Sequence, residues 1–378
     1  MSNKIYITSL HMMHGGMEMA ITLLANALVK KEYEVEILST YNLGKPVYEL
    51  DERVKMTYLT DVRPNKKEIK NAIRSLNPIA MLKEGLYAIK VLYLKKKTMK
   101  DHLSSISEGT IIATRNDHAV LLSKYGQKNV KKIAQLHHDH EFKKKIVRDF
   151  ERNYANIDVF VMLNEWLKDE VQEMMKENHH TKLVVIPNFL PNIEMHEEGK
   201  RENQVIAVGR MHEVKGFPRM LEAWAKTKLK EKYVLKIIGA GDEYEHVSRK
   251  VVELGLEDCV VLTGAMDHDR VMEEMRKSKA YLMTSFTEVF PFVLIEAMSA
   301  GLPIVAYDVR VGPRVMIQDG VNGYLIENGD SDTFAEKLTY ILNEEQVFQN
   351  MSKESIKKTK EYTEEVVIED WIRILCAK

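Results

Sequence analysis

The chain has 378 residues, with 55 basic against 56 acidic side chains, a formal net charge of −1 and 45% apolar residues. That length predicts at least two domains, the apolar share is ample for buried cores, and the charge balance excludes a uniformly basic nucleic-acid binder. Cys259 and Cys376 are too few and too far apart for a disulfide framework or a zinc knuckle, which fits a reducing compartment.

In chain order, Lys4–Leu10 reads as a strand, Gly15-Gly16 as a turn and Met17–Lys31 as a helix, with Ala20, Ile21, Leu24 and Leu28 at helical spacing. Strands follow at Val35–Leu38 and Val54–Leu59, and residues 63–105 read as mostly helical with an interruption at Pro78. Ile111–Ala113, Lys132–Leu136, Val159–Met162 and Leu183–Ile186 are further strands, separated by helices. Pro187–Pro191 and the polar stretch Glu194–Asn203 read as a linker. The alternation then restarts, with strands at Val205–Val208, Val234–Ile238, Val260–Leu262, Ala280–Met283 and Pro303–Ala306, and helices at Phe217–Lys226 and Glu243–Leu254. Such alternation predicts an α/β fold with a parallel sheet in each of two domains. A final helix is expected at Val366–Leu375.

The near-neutral total hides an asymmetry. Residues 1–186 carry 30 Lys and Arg against 23 Asp and Glu, a net of +7, and the remainder carries 25 against 33, a net of −8. Between Arg63 and Lys100 there are eleven basic side chains and two acidic ones, Glu68 and Glu84. No segment reaches the roughly 18 apolar residues of a spanning helix. Met1–Leu10 lacks the pattern of a secretory signal, so the expected location is cytoplasmic, or peripheral at the inner face of the cell membrane.

Ligands of open parallel sheets collect at the carboxyl ends of strands, where loops lead into helix N-termini. His14-Gly15-Gly16 and Gly239-Ala240-Gly241 both occupy such places, though each is also compatible with an ordinary strand–helix turn. Tyr244 stands where a third glycine would complete G-x-G-x-x-G, so a nicotinamide site is weakly supported. Arg210 and Lys215, in Gly209–Gly216, can face one cleft and match the charge of a diphosphate; a solvated surface pair is the alternative. Glu288 and Glu296 are eight residues apart, with Pro291 suited to the first turn of a helix running to Ala300 and closed by Gly301. Glu288 then falls in the loop at the sheet edge and Glu296 inside the helix. A carboxylate among Phe292–Ile295 needs a partner if buried, and either sugar hydroxyls or the backbone would serve.

Taken in order, these pieces resemble the retaining glycosyltransferases of family 4, which have the two-domain GT-B fold. The pieces are the Gly15-Gly16 loop, Gly209-Arg210 with Lys215-Gly216, the Gly239–Gly241 turn, and Glu288-x7-Glu296 running into Ala297–Val305. Pro187-Asn188, Gly312-Pro313-Arg314 and Asp319–Gly323 extend the likeness, which is strongest over residues 203–330. The resemblance implies two Rossmann-like domains facing each other across a cleft. Residues 1–190 would bind the acceptor, with a terminal helix at about 364–378 packing back on them; residues 191–363 would hold a nucleotide-sugar donor, a UDP-sugar or similar; a hinge would lie near Pro187–Pro191. It implies Arg210 and Lys215 on the donor diphosphate, Glu296 on the ribose and Glu288 on the transferred sugar. Backbone around Val289, Phe290, Pro291 and Phe292 would reach sugar and phosphates, with Gly16 approaching from the other domain and Asn188, Gly209 and Gly239 completing the donor site. Val289 departs from the glycine usual after the first glutamate, and Val315 from a frequent glutamate after Gly-Pro-Arg.

Transfer from a nucleoside diphosphate needs a stabilised leaving group, which Arg210, Lys215 and the helix N-terminus at Pro291 would supply. The expectation is a hexosyltransferase that needs neither cofactor nor metal; same-face attack and a covalent intermediate are both compatible with retention. His137, His138 and His140 follow a strand at a spacing that is not a metal motif. The family has a histidine at the His137 position beside the donor sugar, which implies that His137 orients the sugar or acceptor. Ile79–Leu94, followed by Lys95-Lys96-Lys97, is either a face for anionic lipid or an anionic polymer acceptor, or a core-packed helix with a solvated edge; sparse aromatics there argue against nucleic acid. The function expected is sugar transfer to a glycan, polymer or lipid-linked acceptor in cell-envelope polysaccharide synthesis. The alternatives are a non-catalytic glycan-binding subunit and an epimerase or a phosphorylase on the same fold.

Overall fold

A computed structural model describes residues 3–191, 193–194 and 201–377. The middle of the polar linker expected at Glu194–Asn203 lies outside these described residues. The chain forms two compact units, Met1–Ile186 with Ile368–Lys378, and Pro187–Val367.

The first unit holds strands β1 (Lys4–Ser9), β2 (Glu34–Tyr41), β3 (Lys55–Thr60), β4 (Thr110–Ala113), β5 (Lys131–Gln135), β6 (Val159–Met162) and β7 (Lys182–Val185). They form one parallel sheet in the order β3-β2-β1-β4-β5-β6-β7. Its helices are α1 (Gly16–Lys30), α2 (Lys66–Arg74), α3 (Pro78–Ser105), α4 (Asn116–Tyr125), α5 (Lys144–Asn153) and α6 (Glu165–Met174). Ile7, Ile37, Ile111, Ile112, Ile133 and Val161 are fully buried, as β-branched runs covered on both faces of a parallel sheet require. As expected, the helical stretch is interrupted next to Pro78, between the end of α2 at Arg74 and the start of α3, and Pro78 stands on the far side of the break. It opens α3, whose first N–H groups at Ile79 and Ala80 donate to the Asn77 side chain at 3.1 Å each.

The second unit holds β8 (Gln204–Val208), β9 (Val234–Ile238), β10 (Val260–Gly264), β11 (Ala280–Met283), β12 (Ile304–Asp308) and β13 (Gly323–Glu327). They form a parallel sheet in the order β10-β9-β8-β11-β12-β13. Helices α7 (Phe217–Ala225), α8 (Tyr244–Glu253), α9 (His268–Lys277), α10 (Phe292–Ser299), α11 (Gly312–Met316), α12 (Ser331–Asn343) and α13 (Glu345–Thr359) pack around it. Its core is built on Trp224, Tyr233, Leu235, Ile237, Leu282, Phe334 and Leu338. Helix α14 (Glu364–Cys376) begins in the second unit, and from Ile368 it belongs to the first. There Glu369 pairs with Lys31 at 2.9 Å, and Lys131 Nζ donates to the Ile374 carbonyl at 2.5 Å.

Candidate active site

In each sheet the strand order reverses at one place, between β1 and β4 in the first and between β8 and β11 in the second. The carboxyl edge beside such a reversal is where a parallel sheet leaves a crevice.

In the second unit that edge is made by backbone packed on backbone. A Cβ at Gly239 would run into the Gly209 carbonyl, and one at Gly216 into the Thr284 carbonyl, so the loops after β8, β9 and β11 approach as only glycine permits. Gly216 has φ 63 and caps α7. On this platform Lys215 Nζ lies 2.5 Å from Glu288 Oε1, and Ser285 Oγ donates to the same oxygen at 2.7 Å. The Glu288 side chain is 12% exposed. Gly312 N–H donates to the Glu288 carbonyl at 2.8 Å, and a Cβ at Gly312 would stand 2.7 Å from the Glu288 Cβ.

Glu296 is buried in the second turn of α10, and its Oε1 lies 3.1 Å from His268 Nε2 at the start of α9. The hydrogen bond to Glu296 raises the His268 pKa above its ordinary 6.5, against partial burial. Pro291 is the cap residue of α10 and not part of its first turn. The Leu294 N–H donates to the Pro291 carbonyl at 3.0 Å, and the start of α10 presents the positive end of its dipole at the edge that carries Lys215. Phe290 and Phe292 are buried, Phe290 edge-on to Tyr362 at 5.5 Å, while Val289 is half-buried. Arg210 is exposed and has no ion pair among the described residues, so it and Lys215 do not share a partner. Asn188 is buried.

The first unit presents a different edge. Gly16 opens α1 and is exposed, but Glu18 folds back towards Gly15, where an added Cβ would meet its carboxylate. Glu18 Oε1 also lies 3.4 Å from His11 Nδ1. The helix end expected to face an anion thus already carries a carboxylate. His137, two residues past β5, is buried and its Nε2 has no partner among the described residues. Burial, with a smaller contribution from His138, pushes its pKa down to about 3, so the imidazole is neutral. His140 is fully buried and contacts Glu170 at 3.0 Å, whereas His138 is exposed. Among the described residues no cluster of three His, Cys, Asp or Glu could hold a metal.

Sequence reasoning missed Ser285, His268, Glu18 and a network after β4. In that network Asp117 meets Arg115 at 3.1 Å and Lys95 at 2.7 Å. Burial would raise the Asp117 carboxyl, but its neighbours, above all the Arg115 and Lys95 cations at neutral pH, hold it below the usual carboxylate range. His118 Nδ1 lies 2.9 Å from Thr8 Oγ1, and burial pushes its pKa down to about 4. Residues that meet only through strand neighbours leave no signal in linear spacing. Gly312 was visible as part of Gly-Pro-Arg, but its packing on Glu288 was not.

Residues 191–361 match the family described as glycosyl transferases, group 1. Over 372 residues the chain is 28% identical to an uncharacterized glycosyltransferase of Haemophilus influenzae, covering 96% of both chains. It is 27% identical over 365 residues to an N-acetyl-D-galactosaminyltransferase of Campylobacter jejuni named for a diNAcBac-PP-undecaprenol-linked glycan, covering 96% of this chain and 95% of that one. A variant of S. aureus TarM, crystallised with UDP among its ligands, superposes with a TM-score of 0.75 at 17% identity over 99% of this chain and 100% of that one. Together the group 1 match in the second unit, the full-length likeness to glycosyltransferases and the two parallel-sheet domains support a glycosyltransferase of the GT-B fold.

Proposed function

We propose that this chain is a metal-independent, retaining hexosyltransferase that takes a sugar from a UDP-sugar or similar donor. Its acceptor is a glycan, an anionic polymer or a lipid-linked glycan of the cell envelope, the last being the kind of molecule for which the Campylobacter relative is named. The observation that carries the reading is the Lys215–Glu288 pair at the reversal point of the second sheet, beside the positive end of α10.

Lys215, Arg210 and the positive end of α10 stabilise the diphosphate as its bond to the sugar C1 breaks and it leaves with the electron pair. Glu288 accepts hydroxyls of the sugar and Glu296 those of the ribose, since a carboxylate can accept two at once. Gly209, Gly239, Asn188 and the Val289–Phe292 backbone shape the donor pocket. The acceptor oxygen bonds to C1 on the face the phosphate leaves, and its proton passes to the departing phosphate oxygen. His137, neutral and with an unsatisfied nitrogen, orients the sugar or acceptor hydroxyls, and Gly16 lets a bound ligand approach α1.

The test is a screen of nucleotide sugars for thermal stabilisation, followed by UDP release with and without a lipid-linked or polymer acceptor. Release that depends on acceptor, with the product anomer matching the donor by NMR, supports the reading. Absent donor binding by calorimetry would favour a glycan-binding subunit, and a pyridoxal phosphate spectrum would favour a phosphorylase.

A further inference from the structure

Eighteen large apolar side chains are exposed among the described residues, and nine of them fall between Ile73 and Tyr93. They are ordered. Ile79, Leu82, Leu86, Ile89 and Tyr93 recur at alternating steps of three and four along α3, which places them in one stripe on a single face. Each is 60–81% exposed, whereas the opposite face, through Tyr87, Ala88 and Val91, is partly or fully buried, and α3 is held further along by the buried Met99 and Leu103.

Lys83, Lys90 and Lys97 repeat every seven residues along one border of this stripe, and Lys96 lies beyond the other. A recess beside the stripe brings Arg63, Lys83 and Lys90 together with Glu68 and Glu84 around Leu86 and Tyr87, a net of one positive charge. Glu84 accepts from Asn65 at 2.7 Å within the recess, and Lys97 is paired with Asp101 at 2.7 Å, so Arg63, Lys83 and Lys90 carry the local positive excess. From Arg63 to Lys100 eleven cations face two acids.

We infer that α3 is a membrane-docking element: its apolar stripe lies in the headgroup region of an anionic bilayer, and the Arg63–Lys83–Lys90 recess takes a lipid phosphate. Charge decides the occupant. A row of apolar side chains bordered by lysines complements a surface that is apolar below and anionic above, and the lysine stems can lie along the stripe with their ammonium groups among the phosphates. Residues 79–93 span about 21 Å at 1.5 Å per residue, long enough to lie in the interface and too short to cross it.

The test is flotation of the full chain with vesicles of phosphatidylglycerol and, separately, phosphatidylcholine, without donor or acceptor, so that its outcome is independent of glycosyl transfer. Binding is expected to phosphatidylglycerol alone and to weaken with salt. Leu86→Asp with Ile89→Asp should reduce it at least about tenfold, since the apolar area no longer enters; Lys83→Gln with Lys90→Gln should weaken it and flatten its salt dependence. These side chains are exposed, so circular dichroism and melting temperature should match the parent. No binding to phosphatidylglycerol at low salt by the folded protein overturns the inference. So does a soluble dimer that Leu86→Asp with Ile89→Asp converts to monomer while vesicle binding is absent, because the stripe is then a seam between copies.

Discussion

Lys215 Nζ lies 2.5 Å from Glu288 Oε1, so the cation proposed for the donor phosphates and the carboxylate proposed for the donor sugar neutralise each other. A donor that brings its own negative charge to Lys215 and its own hydroxyls to Glu288 substitutes for both halves of that pair. Lys215→Ala should therefore cut kcat/KM for transfer by about 10²–10³, the loss usual for removing one stabilising group from a developing oxyanion. Its melting temperature should fall as well, because the largely buried Glu288 carboxylate loses its cation and keeps only the Ser285 hydroxyl as a donor. Acceptor-dependent UDP release and a thermal scan check the two halves. Unchanged transfer would remove Lys215 from the mechanism.

His268 and Glu296 form a second pair, with a different sensitivity. The folded pKa of His268 is raised above 6.5, chiefly by its hydrogen bond to Glu296. The pair's contribution is therefore complete below about pH 6.5 and is lost as pH rises through the folded value. The melting temperature of the parent relative to His268→Ala should be highest near pH 6 and decline by about pH 8. A flat difference across that window would mean that the contact does not titrate.

His137 behaves in the opposite sense. Its folded pKa is pushed down to about 3, whereas an unfolded chain takes up the proton below about 6.5. Stability is thus present above the unfolded value and is lost as pH falls towards the folded one, by about 2 kcal/mol at pH 5 for one such group. Denaturant midpoints at about pH 7 and 5 should converge in His137→Gln relative to the parent. If Gln keeps the stability gain at pH 5 but transfer falls, His137 is positioned for chemistry; if transfer persists, its role is packing.

Gly312 offers a steric test of Glu288. A Cβ at this position would stand 2.7 Å from the Glu288 Cβ and 2.9 Å from its carbonyl oxygen, closer than any ordinary contact. Gly312→Ala should displace the Glu288 loop, lowering transfer while costing about 1–3 kcal/mol of stability, the range for overpacking. Donor titration by calorimetry would show whether binding weakens in step with transfer.

The strands were legible because parallel sheets bury both faces, and runs such as Ile111–Ala113 and Val234–Ile238 announce themselves by composition. β13 was not read. Gly-Tyr-Leu-Ile-Glu is short and opens on a glycine that reads as a turn, and its strand state comes from pairing with β12. The break at Pro78 was legible, but the cap beside it was not, because the Asn77 side chain accepts from the Ile79 and Ala80 N–H groups only once α3 has formed. The Lys215–Glu288 contact was foreseeable as two residues of one site but not as a mutual pair, because 73 positions separate them and only the β8–β11 adjacency joins them. The same adjacency logic explains why His268 beside Glu296 could not be read from spacing.

Helix α14 has a consequence for how this chain is made. The first unit is not contiguous: its own structure includes residues from Ile368 onward, where Glu369 meets Lys31, Lys131 donates to Ile374 and Cys376 lies 3.6 Å from the Tyr33 hydroxyl. During synthesis the amino-terminal half emerges first, yet its last pieces arrive only after the second unit has been translated. Residues 1–190 expressed alone would thus be a domain missing a strap rather than an independent module, and a stop codon that removes only the final turns of α14 would damage the part of the protein made earliest.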